Sequence, residues 1–283
     1  MNHAILLISC PDQKGITAAV TNFIFQHQGN IVHADQHIDG QSNTFFMRIE
    51  WSLEGFKLKR GDIHSAFLEI SKSFNMKWKL SFSDQKTRLA IFTGKHLHCL
   101  YDLLYRHKTK QLFCDIALVV SNHPDARNVA EDFGVRFAEF VVEPNNKIEQ
   151  ERKQIELLKT EKIDLVILAR YQQILTKQFI DHFPQQIINI HHSFLPAFAG
   201  SNPYLQAFEK GVKVIGATSH YVTEILDDGP IIAQDTVGVS HRDSLEDMQR
   251  KGEDLEKAVL SRAVRWHLEQ KILCYGHKTV VFD

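Results

Sequence analysis

Ile188-Asn189-Ile190-His191-His192-Ser193-Phe194-Leu195-Pro196 is the stretch whose reading decides the fold. It continues an apolar run from Ile187, then breaks into a loop that Pro196 and Gly200 are expected to fix. This is the pattern of a strand delivering polar side chains at its carboxyl end, the edge at which open α/β sheets hold ligands. Side chains alternate along a strand, so Asn189 and His191 share one face while Ile190 and His192 take the other. An amide and an imidazole side by side can hold and protonate an oxygen that gains charge. The same pair would serve equally to tie down a loop, as many buried polar groups do.

Upstream of this strand the chain alternates. Leu89 to Phe92, Ile116 to Val120, Phe137 to Val142 and Leu165 to Leu168 read as strands, with helices over Leu97 to Tyr105, Ala126 to Phe133 and Ile148 to Leu158 between them. Phe179 falls in a short helix. Strands without polar alternation are buried on both faces, which implies a doubly wound, mostly parallel sheet covered by helices. Downstream, Ser244 with Asp247 caps a last long helix running through Val259 and Val264.

The first part of the chain has other periods. Ala4 to Cys10 is an apolar strand, and Ile16, Val20, Phe23 and Ile24 recur at helical spacing until Gly29. Asn30 to Ile38 is a strand. Phe45, Met47, Ile49 and Trp51 alternate with Phe46, Arg48 and Glu50, as in a half-buried strand. Ile63, Phe67, Ile70 and Phe74 form a second helix stripe, and Met76, Trp78, Leu80 and Phe82 alternate again. The order βαββαβ is ferredoxin-like. The division expected is a first domain over 1–83, a linker over 84–87 and a second domain over 88–283.

Composition narrows the partners. The formal net charge of the 283 residues is -1, so no global field draws in nucleic acid or an anionic membrane. No apolar run approaches membrane-spanning length. Cys10, Cys99, Cys114 and Cys274 are scattered, with no zinc spacing, as in a protein of a reducing, cytoplasmic compartment. His191-His192 invites a metal reading, but adjacent strand residues face apart and further ligands are not evident, so no metal is expected. A second polar cluster runs from Ser219 to Pro230, through His220 and Asp227. In isolation Asp227-Asp228-Gly229-Pro230 reads as a tight turn. His220 reads as a site-lining group or a hydrogen-bonded core histidine.

Ser9-Cys10-Pro11-Asp12-Gln13-Lys14-Gly15-Ile16, followed by Gly29-Asn30-Ile31, resembles an ACT domain. That likeness implies an amino-acid site at Asp12, Gln13, Lys14, Gly15 and Asn30, with glycine and methionine as candidates, and homo-oligomerisation through the module. Oligomerisation alone is the other reading. Asn189-Ile190-His191 with Ser193 and Leu195-Pro196, then Gly200, Gly216-Ala217-Thr218, His220 and Leu226-Asp227, resembles the folate-dependent formyltransferases from Arg88 onward. The resemblance implies a catalytic trio of Asn189, His191 and Asp227. It also implies a folate site at Arg170, Tyr171, Gln172, Gln173, Ile174 and Leu175, with His192, Ser193 and His220 lining it. Where family members hold a phosphorylated amine on a glycine-rich loop, this chain has Thr93-Gly94-Lys95-His96-Leu97-His98-Cys99, with one glycine. The ACT module and His191-His192-Ser193 in place of His-Pro-Ser resemble the deformylase branch of that family. That branch passes the formyl group of 10-formyltetrahydrofolate to water and needs no cofactor. A formyltransferase with an amine acceptor and a catalytically inactive amino-acid-sensing regulator are the competing expectations.

Overall fold

The structure is a computed structural model that describes residues 2–197 and 202–283, so the expectation placed on Gly200 lies outside the described residues. The chain divides into two compact units, Met1–Lys86 with Glu269–Tyr275 and Thr279–Asp283, and Thr87–Leu268 with Gly276–Lys278. The division falls inside the expected linker. The expected run of the second domain to Asp283 does not follow this division, because the tail packs with the first unit.

In the first unit β1 (His3–Pro11), α1 (Ile16–Gln26), β2 (Asn30–Asp39), β3 (Thr44–Ser52), α2 (Ile63–Ser73) and β4 (Lys77–Phe82) reproduce the βαββαβ order. The sheet is antiparallel throughout, in the order β2-β3-β1-β4. The apolar stripes of both helices cover one face, where Val20, Phe23 and Phe67 meet Leu6, Ile8, Met47 and Trp51. β3 departs from the half-buried expectation, since Phe46 and Arg48 are buried as well. The reason is a C-terminal hairpin, β12 (Ile272–Tyr275) and β13 (Lys278–Val281), whose flanking Phe282 closes over Leu7 and Phe46. Arg48 survives burial by donating from Nε to the Gln270 carbonyl at 3.1 Å and pairing with Glu50 at 2.8 Å.

The second unit alternates as expected: β5 (Thr87–Thr93), α3 (His98–Lys108), β6 (Cys114–Ser121), α4 (Ala126–Asp132), β7 (Arg136–Glu139), α5 (Lys147–Thr160), β8 (Leu165–Ala169), α6 (Lys177–Asp181) and β9 (Ile187–His191). The strand expected over Phe137 to Val142 stops at Glu139. After α7 (Pro203–Lys210) come two strands with no counterpart in the expectations, β10 (Val214–Tyr221) and β11 (Ile231–Gly238). The sheet order is β11-β10-β9-β8-β5-β6-β7, parallel from β7 to β9, with β10 and β11 antiparallel. Every residue of β8 is buried, which is why it carries no polar alternation. No helix among the described residues is long and apolar enough to cross a membrane.

The long helix α8 (Leu245–Leu268) begins with the reciprocal cap read from Ser244 and Asp247. The Ser244 N–H donates to Asp247 Oδ2 at 3.0 Å and the Asp247 N–H to Ser244 Oγ at 3.1 Å. At Gly252 the helix is bare so that α7 can approach: a Cβ there would lie 2.1 Å from Tyr204 Oη. Alanine would gain about 1 kcal/mol in helix propensity. It would also displace a buried, hydrogen-bonded ring, and overpacking of that kind costs about 1–3 kcal/mol. Gly252→Ala is therefore expected to lower the urea midpoint, and a raised midpoint would show that the ring yields without cost.

Candidate active site

The antiparallel pairing of β10 on β9 builds the site. Its register sets His220 opposite Asn189 and Thr218 opposite His191, so the four side chains share one face. The pairing of β10 with β11 shifts register between Ser219 and His220, an irregularity that re-aims side chains beside a site. After β10 the chain folds back over this face through the Asp227-Asp228-Gly229-Pro230 turn. Asp227 takes a left-handed conformation (φ 57), which its short polar side chain tolerates better than most. Gly229 presses on the end of β10 so closely that a Cβ would fall 1.7 Å from the Tyr221 carbonyl oxygen.

That approach delivers a carboxylate to two imidazoles. Asp227 Oδ2 lies 3.2 Å from His191 Nδ1, and Oδ1 lies 3.7 Å from His220 Nε2. Asn189 Nδ2 lies 3.2 Å from the same His220 nitrogen. Burial alone would raise the Asp227 carboxyl, but the hydrogen bond from His191 outweighs it and holds the group well below the usual carboxylate range. Asp227 is therefore ionised and accepts the Nδ1 hydrogen of His191. The opposite nitrogen, His191 Nε2, is buried and has no protein partner.

A second polar cluster lies behind His191. The His192 ring sits between the rings of His191 and Tyr204, at centroid distances of 5.2 Å and 5.7 Å. Glu256 of α8 is 0% exposed and accepts from Tyr204 Oη at 2.5 Å and His98 Nε2 at 2.8 Å, with Arg170 Nε at 3.5 Å. Burial pushes this carboxyl up, yet the His98 hydrogen bond and the Arg170 charge leave it lowered. His98, Cys99 and Glu256 offer ligand atoms within 4.8 Å of one another. Both carboxylate oxygens are already engaged, a guanidinium stands beside them, and burial keeps the Cys99 thiol protonated. The donor set is thus an ion-paired cluster that a metal cation would have to break.

The remaining expected residues fall in three places. Arg170 to Leu175 is the loop after β8, leaving the sheet beside β9. Within it Tyr171 and Leu175 turn into the core, Gln172 and Ile174 are exposed, and Arg170 points to Glu256. Ser193 is buried and donates to the Ala197 carbonyl at 2.8 Å, so it pins its own loop. In the first unit Asn30 lines an open groove with Thr21, Phe25 and Gly29, whereas Asp12 to Gly15 lie outside that lining. Glu256, Tyr204 and His98 were not singled out from sequence. The available signal was a lone acid on the apolar stripe of α8, at spacing three from Val259.

His192 carries the clearest pH consequence. Burial first, then the Arg170 charge, push its pKa down to about 3. The unfolded chain, with an ordinary histidine near 6.5, binds the proton that the folded chain refuses. Stability contributed by the neutral ring is present above that value and is lost as pH falls toward the folded pKa, by at most about 1.4 kcal/mol per pH unit. Urea unfolding at stepped pH is expected to show a shallower loss below pH 6.5 for His192→Asn than for the native chain. Parallel curves would show that His192 takes up its proton while folded.

Against known proteins, residues 87–264 match the Formyl transferase family and residues 4–55 the ACT domain family. A protein of Synechocystis named formyltetrahydrofolate deformylase is 53% identical over 99% of this chain and 98% of its own length. One of the same name from Bacillus subtilis is 46% identical over 98% of this chain and 93% of its own. The crystal structure of a formyltetrahydrofolate deformylase from Pseudomonas syringae superposes with a TM-score of 0.98 at 46% identity, covering 100% of this chain and 95% of that one. The likeness takes in both units together and not the catalytic-type fold alone, so the chain belongs to the formyltetrahydrofolate deformylase family, enzymes that join an ACT domain to a formyl-transferase fold.

Proposed function

We propose that the chain hydrolyses 10-formyltetrahydrofolate to formate and tetrahydrofolate, with Asn189, His191 and Asp227 as the groups that act on the formyl carbon and water as its acceptor. One observation supports these roles above others: Asp227 holds His191 by Nδ1, while the buried Nε2 is left without a protein partner, on the sheet face that also carries Asn189. A base must present one free nitrogen in a fixed direction, and this is such an arrangement.

In the reaction His191, oriented by Asp227, positions a water and takes its proton at Nε2. The water oxygen bonds to the formyl carbon, and the formyl oxygen gains negative charge. Asn189 donates to that oxygen, a contact of a kind worth about 2.7–4 kcal/mol of barrier. The protonated His191 then gives its proton to N10 as the C–N10 bond breaks, releasing formic acid, which loses its proton to solvent as formate. The pterin lies against the loop from Arg170 to Leu175, whose left-handed Arg170 and Gln172 shape its backbone (φ 62 and 59). An amino acid of the glycine or methionine kind acts at the ACT domain, which also mediates homo-oligomerisation. Four free thiols suit a reducing cytoplasm.

Incubation with 10-formyltetrahydrofolate alone is expected to release formate. A requirement for an added amine would instead indicate formyl transfer, and no turnover under either condition would favour a sensing role. Asp227→Asn keeps the shape of the side chain but loses the charge that holds His191. Its turnover is expected to fall at least about 100-fold, within the range attributed to acid–base assistance, with tetrahydrofolate binding nearly unchanged. Native turnover in that variant would remove Asp227 from the chemistry.

A further inference from the structure

We infer that His220 is a positioning residue that acts through Asn189: its Nε2 lone pair fixes the roll of the amide so that one N–H stays aimed at the formyl oxygen. The inference rests on the reading that Asn189 donates to that oxygen. His220 Nδ1 lies 2.9 Å from the Tyr221 carbonyl oxygen, and a carbonyl only accepts, so Nδ1 carries the hydrogen. A neutral ring then presents a bare lone pair at Nε2. The atom facing it, Asn189 Nδ2 at 3.2 Å, is a donor.

The direction of that bond is therefore set: the amide donates one hydrogen to His220 and keeps the other. A turned-over amide would place Oδ1 against the Nε2 lone pair and offer the formyl group an acceptor where a donor is needed. The ring has little freedom to adapt. It is 2% exposed, it lies opposite Asn189 in the β9–β10 register, and a Cβ on Gly229 would come within 3.3 Å of Nδ1. The other charged or titratable groups at this face are Asp227, whose Oδ1 stands 3.7 Å from Nε2, and His191, which Asp227 holds. Water is not needed to complete either ring nitrogen.

The test is a double-mutant cycle on the full chain, with kcat and KM for 10-formyltetrahydrofolate measured for Asn189→Ala, His220→Phe and the pair. His220→Phe keeps a ring but removes the acceptor, and is expected to lower kcat about 10- to 100-fold with KM within about twofold. In the Asn189→Ala background the same change is expected to cost less than about threefold, because the group it positions is gone. His220→Gln, which can return an oxygen toward the Nε2 position, is expected to recover part of the loss. A core-filling role alone would move the unfolding midpoint without this coupling. If His220→Phe does not fold, His220→Met serves in the same cycle. Losses that multiply in the double variant, or near-native kcat in His220→Phe beside a slow Asn189→Ala, would overturn the inference and leave the reading of Asn189 intact. Native kcat in Asn189→Ala would overturn that reading first, and the role of His220 with it.

Discussion

A carboxylate kept charged while largely withdrawn from water is the constraint around which the second unit is arranged. Asp227 loses hydration on burial, a cost of several kcal/mol for an unpaired ion. The Nδ1 hydrogen of His191 offsets it, with His220 standing beside the pair. To reach them the chain must reverse after β10, enter the left-handed region at Asp227 and bring Gly229 against the Tyr221 carbonyl. Each of these is unfavourable on its own. Together they set a negative charge against His191 Nδ1, which determines where the free nitrogen of that ring points.

The face behind His191 solves a related problem by other means. His192 lies past the end of β9 with its ring against that of His191, not on the opposite face as expected, and the ring is neutral because burial and Arg170 both oppose a proton. It packs on Tyr204, which in turn is tied to Glu256. Glu256 also draws Arg170 inward, so one buried acid on α8 joins the His192 side of the site to the start of the loop after β8. Removing that charge would leave Arg170 buried without a counter-ion, which costs more than the pair contributes. His191 is thus backed by packed rings and an ion pair.

Much of this was legible in residue order. β8 and β9 declared themselves because strands buried on both faces cannot hide their apolar run, and the Ser244–Asp247 cap marked α8 because both partners lie within one turn. β10 stayed hidden for the opposite reason. Gly216-Ala217-Thr218-Ser219 is small and polar, and it is buried through hydrogen bonds, such as those of Thr218 Oγ1 with Ser193 and Leu195, not through apolar bulk. The terminal hairpin was hidden as well, since Phe282 complements Leu7 and Phe46, residues remote in sequence. Asn189, His191 and Asp227 could be named from the motifs they share with a known family. Their mutual geometry could not, because it depends on a strand pairing and a turn conformation that no local pattern encodes.

Among the described residues, eleven besides glycine have positive φ, and three of them lie beside the site. Arg170, Gln172 and Asp227 all have positive φ, a conformation that costs roughly 1–2 kcal/mol for residues with a Cβ. All three belong to the two segments that border Asn189 and His191. Such strain persists only where the surroundings over-determine it. Here Arg170 is held by Glu256 and by the Gly94 N–H on its carbonyl at 3.1 Å, and Asp227 by His191. The side chains that hold the strained backbone are the charged and polar ones that burial would otherwise disfavour, so each cost is met by the group that shares it. At Arg170 and Asp227 the strained backbone and the buried ion pair thus support each other.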